Sequence, residues 1–485
     1  MSATQRRDNG RATRRLTAVA VTCAISLQTV GCANEPFEVT LPYAIPHRYE
    51  AAKSTRPTNV SRWWTRYGST ELNALMDLAN AQNFDIAIAV AQLEEASAQA
   101  QIAGAALWPT LNYSENNSRS QSSGTGTPGV ISPQVTRDSF SKQLNASYVL
   151  DIWGQNRDAV RATLHTASAS AYQVEVVRLT TRAAIVNNFL LHAANRERVK
   201  VATENLANAE RVLRIIKDRQ AAGTVSALET AQQTTLVENQ RAAIPSLRQA
   251  AELSRTALAL LTGRPAQTVH LKTNRARTLR VPEVSPGLPV SLLSRRPDVH
   301  SAEEQLFAAG ANVDVARKAF LPTITLTGQS GFQSALLSTL LRPESFVYTI
   351  AAGATQPIFE GGRLRGQLAL TEAQQRQFLE TYRRSIVSAL TDVEIALIAI
   401  RESAARETAQ RRAVAAARLA FVLSEERLTQ GTIDLTTLLT TQNTLFQAED
   451  ALIQVRLLRL QAAASLFQAL GGDWDETAAG LLPVQ

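Results

Sequence analysis

Few side chains in this 485-residue chain are spaced for chemistry. Gly124, Gly126 and Gly129 stand at the spacing by which a glycine-rich turn lets backbone amides approach a pyrophosphate. That chemistry needs a strand before the turn and a helix after it. Here Pro128 interrupts the run and no such unit frames it, so the segment reads as a loop between two strands. The chain has no Walker-type phosphate loop, so it has no means of powering work by nucleotide hydrolysis. The five His, at 47, 165, 192, 270 and 300, lack metal-ligand spacing. No Ser elbow or Cys–His pairing supplies a nucleophile. The expectation is a protein that is not an enzyme and holds no cofactor or metal.

One residue is placed for covalent chemistry. Arg6, Arg7, Arg11, Arg14 and Arg15 precede the mostly apolar run Leu16 to Val30, the layout of an export signal too short to span a membrane. Val30-Gly31-Cys32 closes it as a lipoprotein cleavage box does, and the processed Cys32 then becomes an acylated N-terminus. Thr29 stands where Leu, Val or Ile is usual; ordinary signal cleavage with an incidental Cys32 is the alternative. Cys23 follows Thr22 with little apolar sequence behind it and is a poorer site. Ala33 after Cys32 resembles an outer-membrane sorting signal.

Removing residues 1–31 takes five Arg and one Asp, and the net charge falls from +8 to +4. So small a charge on so long a chain gives no footprint for nucleic acid. Cys32 alone survives, so no intramolecular disulfide forms. No later segment offers 18 consecutive apolar residues; membrane insertion must use β-strands or the lipid.

The elements come in two copies. Trp153 to Arg157 aligns with Gly361 to Arg365 at an offset of 208, and Arg219…Gly223-Thr224 aligns with Arg427…Gly431-Thr432 at the same offset. Asp85-Ile86 and Pro109-Thr110 match Asp298-Val299 and Pro322-Thr323 at 213, so the length difference falls in the loop-rich part between Pro109 and Gly154. An offset held this long marks a duplication. Each copy reads as a helix (near Asp85 to Ala105; Asp298 to Lys318), two strands, and a long helix free of Gly and Pro (Gln155 to Arg219; about Gln367 to Gln430). A glycine turn at Gly223 or Gly431 follows, then a helix returning to Gly263 or Gly471. Val199, Ala202, Leu206, Ala209, Leu213 and Ile216 form a coiled-coil seam, continued in the second copy by Val414, Ala417 and Phe421. The returning helix is much shorter than the long one, and the first helix of the copy, stacked end to end, would fill most of the difference.

The strands alternate with period two. Phe140, Lys142, Leu144, Ala146, Tyr148 and Leu150 share one face and Ser141, Gln143, Asn145 and Ser147 the other; Leu111 and Tyr113, Ile324 and Leu326, and Phe346, Tyr348 and Ile350 follow suit. This suits a lipid-facing barrel with a wet lumen, or a half-buried soluble sheet. Four strands cannot close a barrel, so an exported, lipid-anchored chain would share one with other chains. Lys142 is a misfit on the apolar face, its stem able to snorkel.

Gly287-Leu-Pro-Val-Ser-Leu-Leu-Ser-Arg-Arg-Pro-Asp298-Val299, Ala302-Glu303, Phe320-Leu-Pro-Thr-Ile-Thr, Trp63-Trp64, Ala243-Ile-Pro245-Ser-Leu247 and Leu260-Leu261-Thr262-Gly263 resemble the TolC/OprM-type outer-membrane factor family, in its lipoprotein branch serving RND efflux pumps. The resemblance runs from about residue 60 to 474. It implies a mainly α fold with a β-barrel portion: a duplicated helix–strand–strand–helix repeat forming a long α-helical barrel plus a membrane β-barrel shared within a homotrimer. The implied location is the outer membrane, anchored in its lipid, with a long periplasmic portion. The implied partners are a periplasmic adaptor and an inner-membrane RND pump. The corresponding divisions are 1–31 signal, 32–60 extended segment, 61–265 first repeat, 266–290 linker, 291–474 second repeat and 475–485 tail.

In that family carboxylates near the periplasmic tips help close the channel, and here the usual acidic positions read Thr437 and Thr440. Asp434, Glu229 and Leu438 are the other gate candidates; Arg219, Gly223, Arg427 and Gly431 are the candidates for adaptor docking, a plain hairpin turn being the alternative. A conduit for type I protein or oligosaccharide secretion, and a non-conducting periplasmic scaffold, are the competing functions.

Overall fold

The computed structural model describes residues 44–51, 60–124, 133–273 and 275–474. Cys23, Cys32 and most of the glycine-rich loop lie outside these residues. The elements are α1 (Thr70–Gln82), α2 (Phe84–Gly104), β1 (Thr110–Gln121), β2 (Thr136–Leu150), α3 (Gln155–Ala221), α4 (Ala227–Leu261), the short α5 (Pro289–Leu293), α6 (Pro297–Lys318), β3 (Thr323–Ser334), β4 (Phe346–Thr355), α7 (Arg363–Thr429) and α8 (Leu435–Ala469). The order helix, two strands, long helix, returning helix occurs from α2 to α4 and again from α6 to α8.

At 67 residues each, α3 and α7 are about 100 Å long. Helix α3 starts where Asp151 accepts the amides of Asn156 and Arg157, both at 3.0 Å, satisfying two donors of the first turn. Burial alone would raise the Asp151 carboxyl; these amides, together with the Arg157 guanidinium, outweigh it and hold it below its ordinary range. Helix α7 departs from expectation by starting at Arg363 and keeping Gly366 inside. The Gly366 amide bonds to Gly362 O at 2.9 Å, so the helix is under way before this residue. One interior glycine costs about 1 kcal/mol, little against so long a helix.

Each returning helix has 35 residues and reaches only about 52 Å. The shortfall is met by end-to-end stacking. Asn83 caps α2 by accepting the Ile86 amide at 2.9 Å, and donates its Nδ2 to Leu261 O, at the end of α4, at 2.7 Å. A Cβ at Gly263 would overlap the Gln82 carbonyl oxygen, which measures how close the two ends lie. In the second copy Arg296 donates to Ala469 O at 3.3 Å, and a Cβ at Gly471 would overlap Arg295 O. The negative end of one helix dipole meets the positive end of the next in both copies.

Helix α3 is the hub, packing against α2, α4, α6 and α8; among the described residues α7 packs on α6 and α8. The seam on α3 is rotated from the expected one. Ala202, Asn205, Ala209, Val212 and Ile216 are buried, whereas Leu206 and Leu213 are half-buried and lie against the same cluster. A helix clasped by two neighbours buries a stripe centred between them, wider than one coiled-coil seam. Near the end of α8, Trp63 stacks on Phe467 at 5.0 Å between ring centroids, and the buried Tyr67 hydroxyl donates to Leu460 O at 2.9 Å.

The strands form one antiparallel sheet in the order β1-β2-β3-β4. Its register puts Tyr113 opposite Leu144, Leu144 opposite Ser330 and Ser330 opposite Tyr348, so the four apolar sets share a single face. Asn112, Asn145, Gln143, Gln329 and Thr349 share the other. Lys142 is not left to snorkel alone. Glu115 stands directly opposite on β1 and pairs with it at 3.5 Å, in a row that continues through Phe332 to Phe346. Every residue of β1 and β4 is exposed, and among the described residues each of these strands has a neighbour on one side only.

Candidate functional site

The sequence candidates converge at the ends of the helices far from the sheet. In each copy a long helix ends, a glycine turns the chain and a helix returns. Gly223, at φ +75°, donates its amide to Gln220 O at 3.0 Å, and Thr224 N reaches Arg219 O at 2.9 Å. Gly431, at φ +71°, repeats this, with Gly431 N on Leu428 O at 3.1 Å and Thr432 N on Arg427 O at 3.0 Å. These paired bonds are a Schellman closure, whose left-handed residue glycine adopts without a Cβ penalty.

The returning helices begin with two versions of one cap. In the first copy the Glu229 carboxylate accepts the Ser226 amide at 2.7 Å, completing a capping box. In the second, Asp434 accepts the Thr437 amide at 2.7 Å. Hydrogen bonds from Thr437 hold the Asp434 carboxyl below its ordinary range. Both carboxylates therefore start helices. Thr437 and Thr440 are exposed, and the Thr440 hydroxyl donates to Thr436 O at 2.8 Å. Leu438 is 1% exposed and belongs to the buried cluster of Ala209, Val212, Ile216, Phe421, Leu435 and Phe446, so its side chain is taken up within the chain.

Arg219 and Arg427 share a position in their repeats but differ in surroundings. The half-buried Arg219 guanidinium donates to Leu428 O through two nitrogens at 3.2 Å and to Thr429 O at 3.5 Å. It thus takes the second lone pair of the Leu428 carbonyl, which already accepts Gly431 N, and reaches the Thr429 carbonyl beside it. Arg427 is exposed and, among the described residues, makes no side-chain hydrogen bond or ion pair. A cleft of about 220 Å³ separates the two tips, lined by Ile216, Arg219, Val225, Glu229, Asp434 and Leu438.

Two further contacts stitch the tips together. Arg211 on α3 forms an ion pair with Glu425 on α7, and the Glu425 carboxylate holds the guanidinium above its ordinary range. Gln233 and Gln442, both fully buried, face one another across α4 and α8 at 3.5 Å, and Gln233 also donates to Ala209 O at 2.8 Å. Gln233 stands in the polar stretch from Gln232 to Thr235, so its burial has no local signal in the sequence; the Arg211–Glu425 pair spans 214 residues and leaves no local trace either. Among the described residues no helix is long and apolar enough to cross a membrane, and no cluster of His, Cys, Asp or Glu could hold a metal ion.

The arrangement is a pair of linked helical hairpins beneath an open sheet with one apolar face. It has counterparts. The profile of the outer membrane efflux protein family matches residues 75–264 and 288–472. The pyoverdine export outer membrane protein OpmQ of Pseudomonas aeruginosa is 39% identical over 465 residues, 95% of this chain and 98% of that protein. The solvent efflux pump outer membrane protein SrpC of Pseudomonas putida is 31% identical, over 83% of this chain and 85% of its own. The Campylobacter jejuni CmeC outer membrane channel superposes with a TM-score of 0.84 over 91% of this chain and 95% of its own, at 24% identity, a likeness of fold.

Proposed function

This chain belongs to the outer membrane efflux protein family, and from that premise we propose that it is one subunit of a homotrimeric outer-membrane channel in a tripartite RND-type efflux system. It passes substrates passively from a periplasmic adaptor and an inner-membrane pump to the exterior. The family is one of channel proteins, and we assign this chain no catalytic step. The observation carrying the reading is the sheet: among the described residues, four strands with one apolar face and unpaired edges at β1 and β4. Such a sheet is stable in a bilayer only when other chains complete its barrel. The exposed side of α7, with Leu419 60% and Ile395 60% exposed, supports a neighbouring chain along the helices as well.

The name of the relative that spans 95% of the chain refers to pyoverdine export, which makes pyoverdine the first cargo to test. The glycine turns at Gly223 and Gly431, with Arg219 and Arg427 just before them, are the surface we assign to the adaptor. Thr437 and Thr440 are the exposed groups we assign to the closed end. Acylation of Cys32 rests on its sequence setting, as do the divisions 1–31, 32–60, 61–265, 266–290, 291–474 and 475–485 on the repeated order of elements.

Reconstitution tests the central reading. The detergent-purified protein should be a trimer and should conduct in planar bilayers; a detergent-independent soluble monomer would overturn it and favour a scaffold. For the anchor, Cys32→Ser should abolish lipid labelling, and unchanged labelling would remove that assignment.

A further inference from the structure

The strand register sorts the charged residues of the sheet by face. Glu115, Arg119, Asp138 and Lys142 all lie on the apolar face, and they pair across β1 and β2, Lys142 with Glu115 at 3.5 Å and Arg119 with Asp138 at 3.2 Å. Arg137 is the one other charged residue of the four strands, and it lies on the polar face. It is exposed and, among the described residues, makes no side-chain hydrogen bond or ion pair. We propose that Arg137, repeated in each chain, forms a ring of positive charge at the outer mouth of the channel and gives that mouth a preference for anionic solutes.

Direction, height and reach carry this. Arg137 stands opposite Ser120 and alternates along β2 in step with Ser139, Ser141 and Gln143. A barrel that turns the apolar face to lipid therefore turns Arg137 to the lumen. The residue sits at the end of β2 far from the helices, thirteen residues before Leu150. That is about 44 Å along the strand, or about 31 Å of height at a tilt of about 45°. An apolar band is about 25 Å tall, so Arg137 lies past it, where a guanidinium stays hydrated. Three chains supply twelve strands. At about 4.8 Å between strands and a tilt of about 40°, the barrel is about 24 Å across. Its axis is then about 12 Å from each Arg137 backbone, close to the Debye length of about 10 Å at 0.1 M salt.

The rest of the polar face leaves this charge unopposed. Asn112, Ser114, Gln143, Asn145, Gln329 and Thr349 offer hydroxyls and amides, which hydrogen-bond to solutes of either sign. A ring of arginines above such a wall raises the local concentration of anions and lowers that of cations. The favoured solute is therefore a water-soluble anion, a carboxylate or a phosphate, and the preference weakens as salt rises.

This inference rests on the channel reading, and the test separates the two. Reversal potentials of the full-length protein in planar bilayers, under a KCl gradient of about 10 to 100 mM, give its potassium-to-chloride permeability ratio. Arg137→Glu should raise that ratio about threefold, the scale of three charges reversed about one Debye length from the axis. Arg119→Glu makes the same charge change one residue pair away on the other face and should leave the ratio unchanged. At about 1 M salt, where the Debye length is about 3 Å, the difference should vanish. Arg137→Cys, labelled in assembled channels, covers a charge-reversed chain that fails to assemble. A cationic thiosulfonate should restore the unaltered ratio, and an anionic one should reproduce Arg137→Glu, with the same reagents on the unaltered protein as reference. A ratio insensitive to the charge at 137, or an equal shift from Arg119→Glu, would overturn the ring alone. An unaltered protein that forms no conducting oligomer would overturn the channel reading beneath it.

Discussion

Asn83 and Leu261 lie 178 residues apart and join two helices into one rod: the Asn83 side chain accepts from Ile86 at the start of α2 and donates to the Leu261 carbonyl at the end of α4. Arg296 does the same work between α6 and α8, and adds ion pairs to Asp298 at 2.7 Å and Asp392 at 3.0 Å. The duplication has kept the joint and changed the residue that makes it. What both joints need is close approach of backbones, which Gly263 and Gly471 permit.

Gly263→Ala should therefore destabilise the protein by about 3 kcal/mol, combining a left-handed backbone with a clash on the Gln82 carbonyl. Gly223→Ala, also left-handed but with open space around its Cβ, should cost about 1 kcal/mol. Chemical denaturation of the two purified variants should rank them in this order; equal losses would refute the close-approach account.

The two faces of β4 should respond differently to charge. Ile350 is 83% exposed on the apolar face, and Ile350→Lys should cost about 2–4 kcal/mol in the middle of a membrane-facing band. Thr349→Lys, on the polar face, should leave assembly nearly intact. The yield of membrane-inserted oligomer for the pair is the measurement.

Glu407 is 1% exposed and faces three guanidinium groups, Arg411 at 2.6 Å, Arg459 at 2.8 Å and Arg456 at 3.3 Å. Burial pushes its carboxyl up, and the arginines outweigh that and hold it below the ordinary range. Glu407→Ala leaves buried positive charge uncompensated and should cost about 3 kcal/mol. A double-mutant cycle with Arg459→Ala should show strong coupling between the two.

The Asp434 cap should fail in acid. Its carboxyl is held below the unfolded value, so its contribution is complete above that value and is lost as pH falls through the lowered folded one. Amide exchange at Thr437 should accelerate over that window in the unaltered protein. Asp434→Ser, which caps without titrating, should not show this acid-dependent acceleration.

Much of this was legible in the residues. Glycine punctuation at Gly154, Gly223 and Gly431, and the period-two runs around Phe140 and Tyr348, are local signals, so helices and strands fell where expected. Gly366 misled because a glycine read in isolation looks like a helix end, whereas its amide already makes a helical bond to Gly362. The seam on α3 was read from one neighbour and is shared by two, which brings Asn205 and Val212 inside. The tips were least legible. Glu229 and Asp434 look like free carboxylates until the backbone shows both spent on capping, and the target of Arg219 lies 209 residues downstream.

The open edges of β1 and β4 also carry a genetic consequence. A barrel assembled from three identical chains has no redundant part, because each chain supplies both a donor edge and an acceptor edge. A copy with one ruined edge spoils every ring it joins. Equal expression of sound and damaged copies would leave only about an eighth of the rings wholly sound, if mixing is random. An edge-strand lesion should therefore behave as a dominant trait, whereas a lesion that stops the chain before assembly should be recessive.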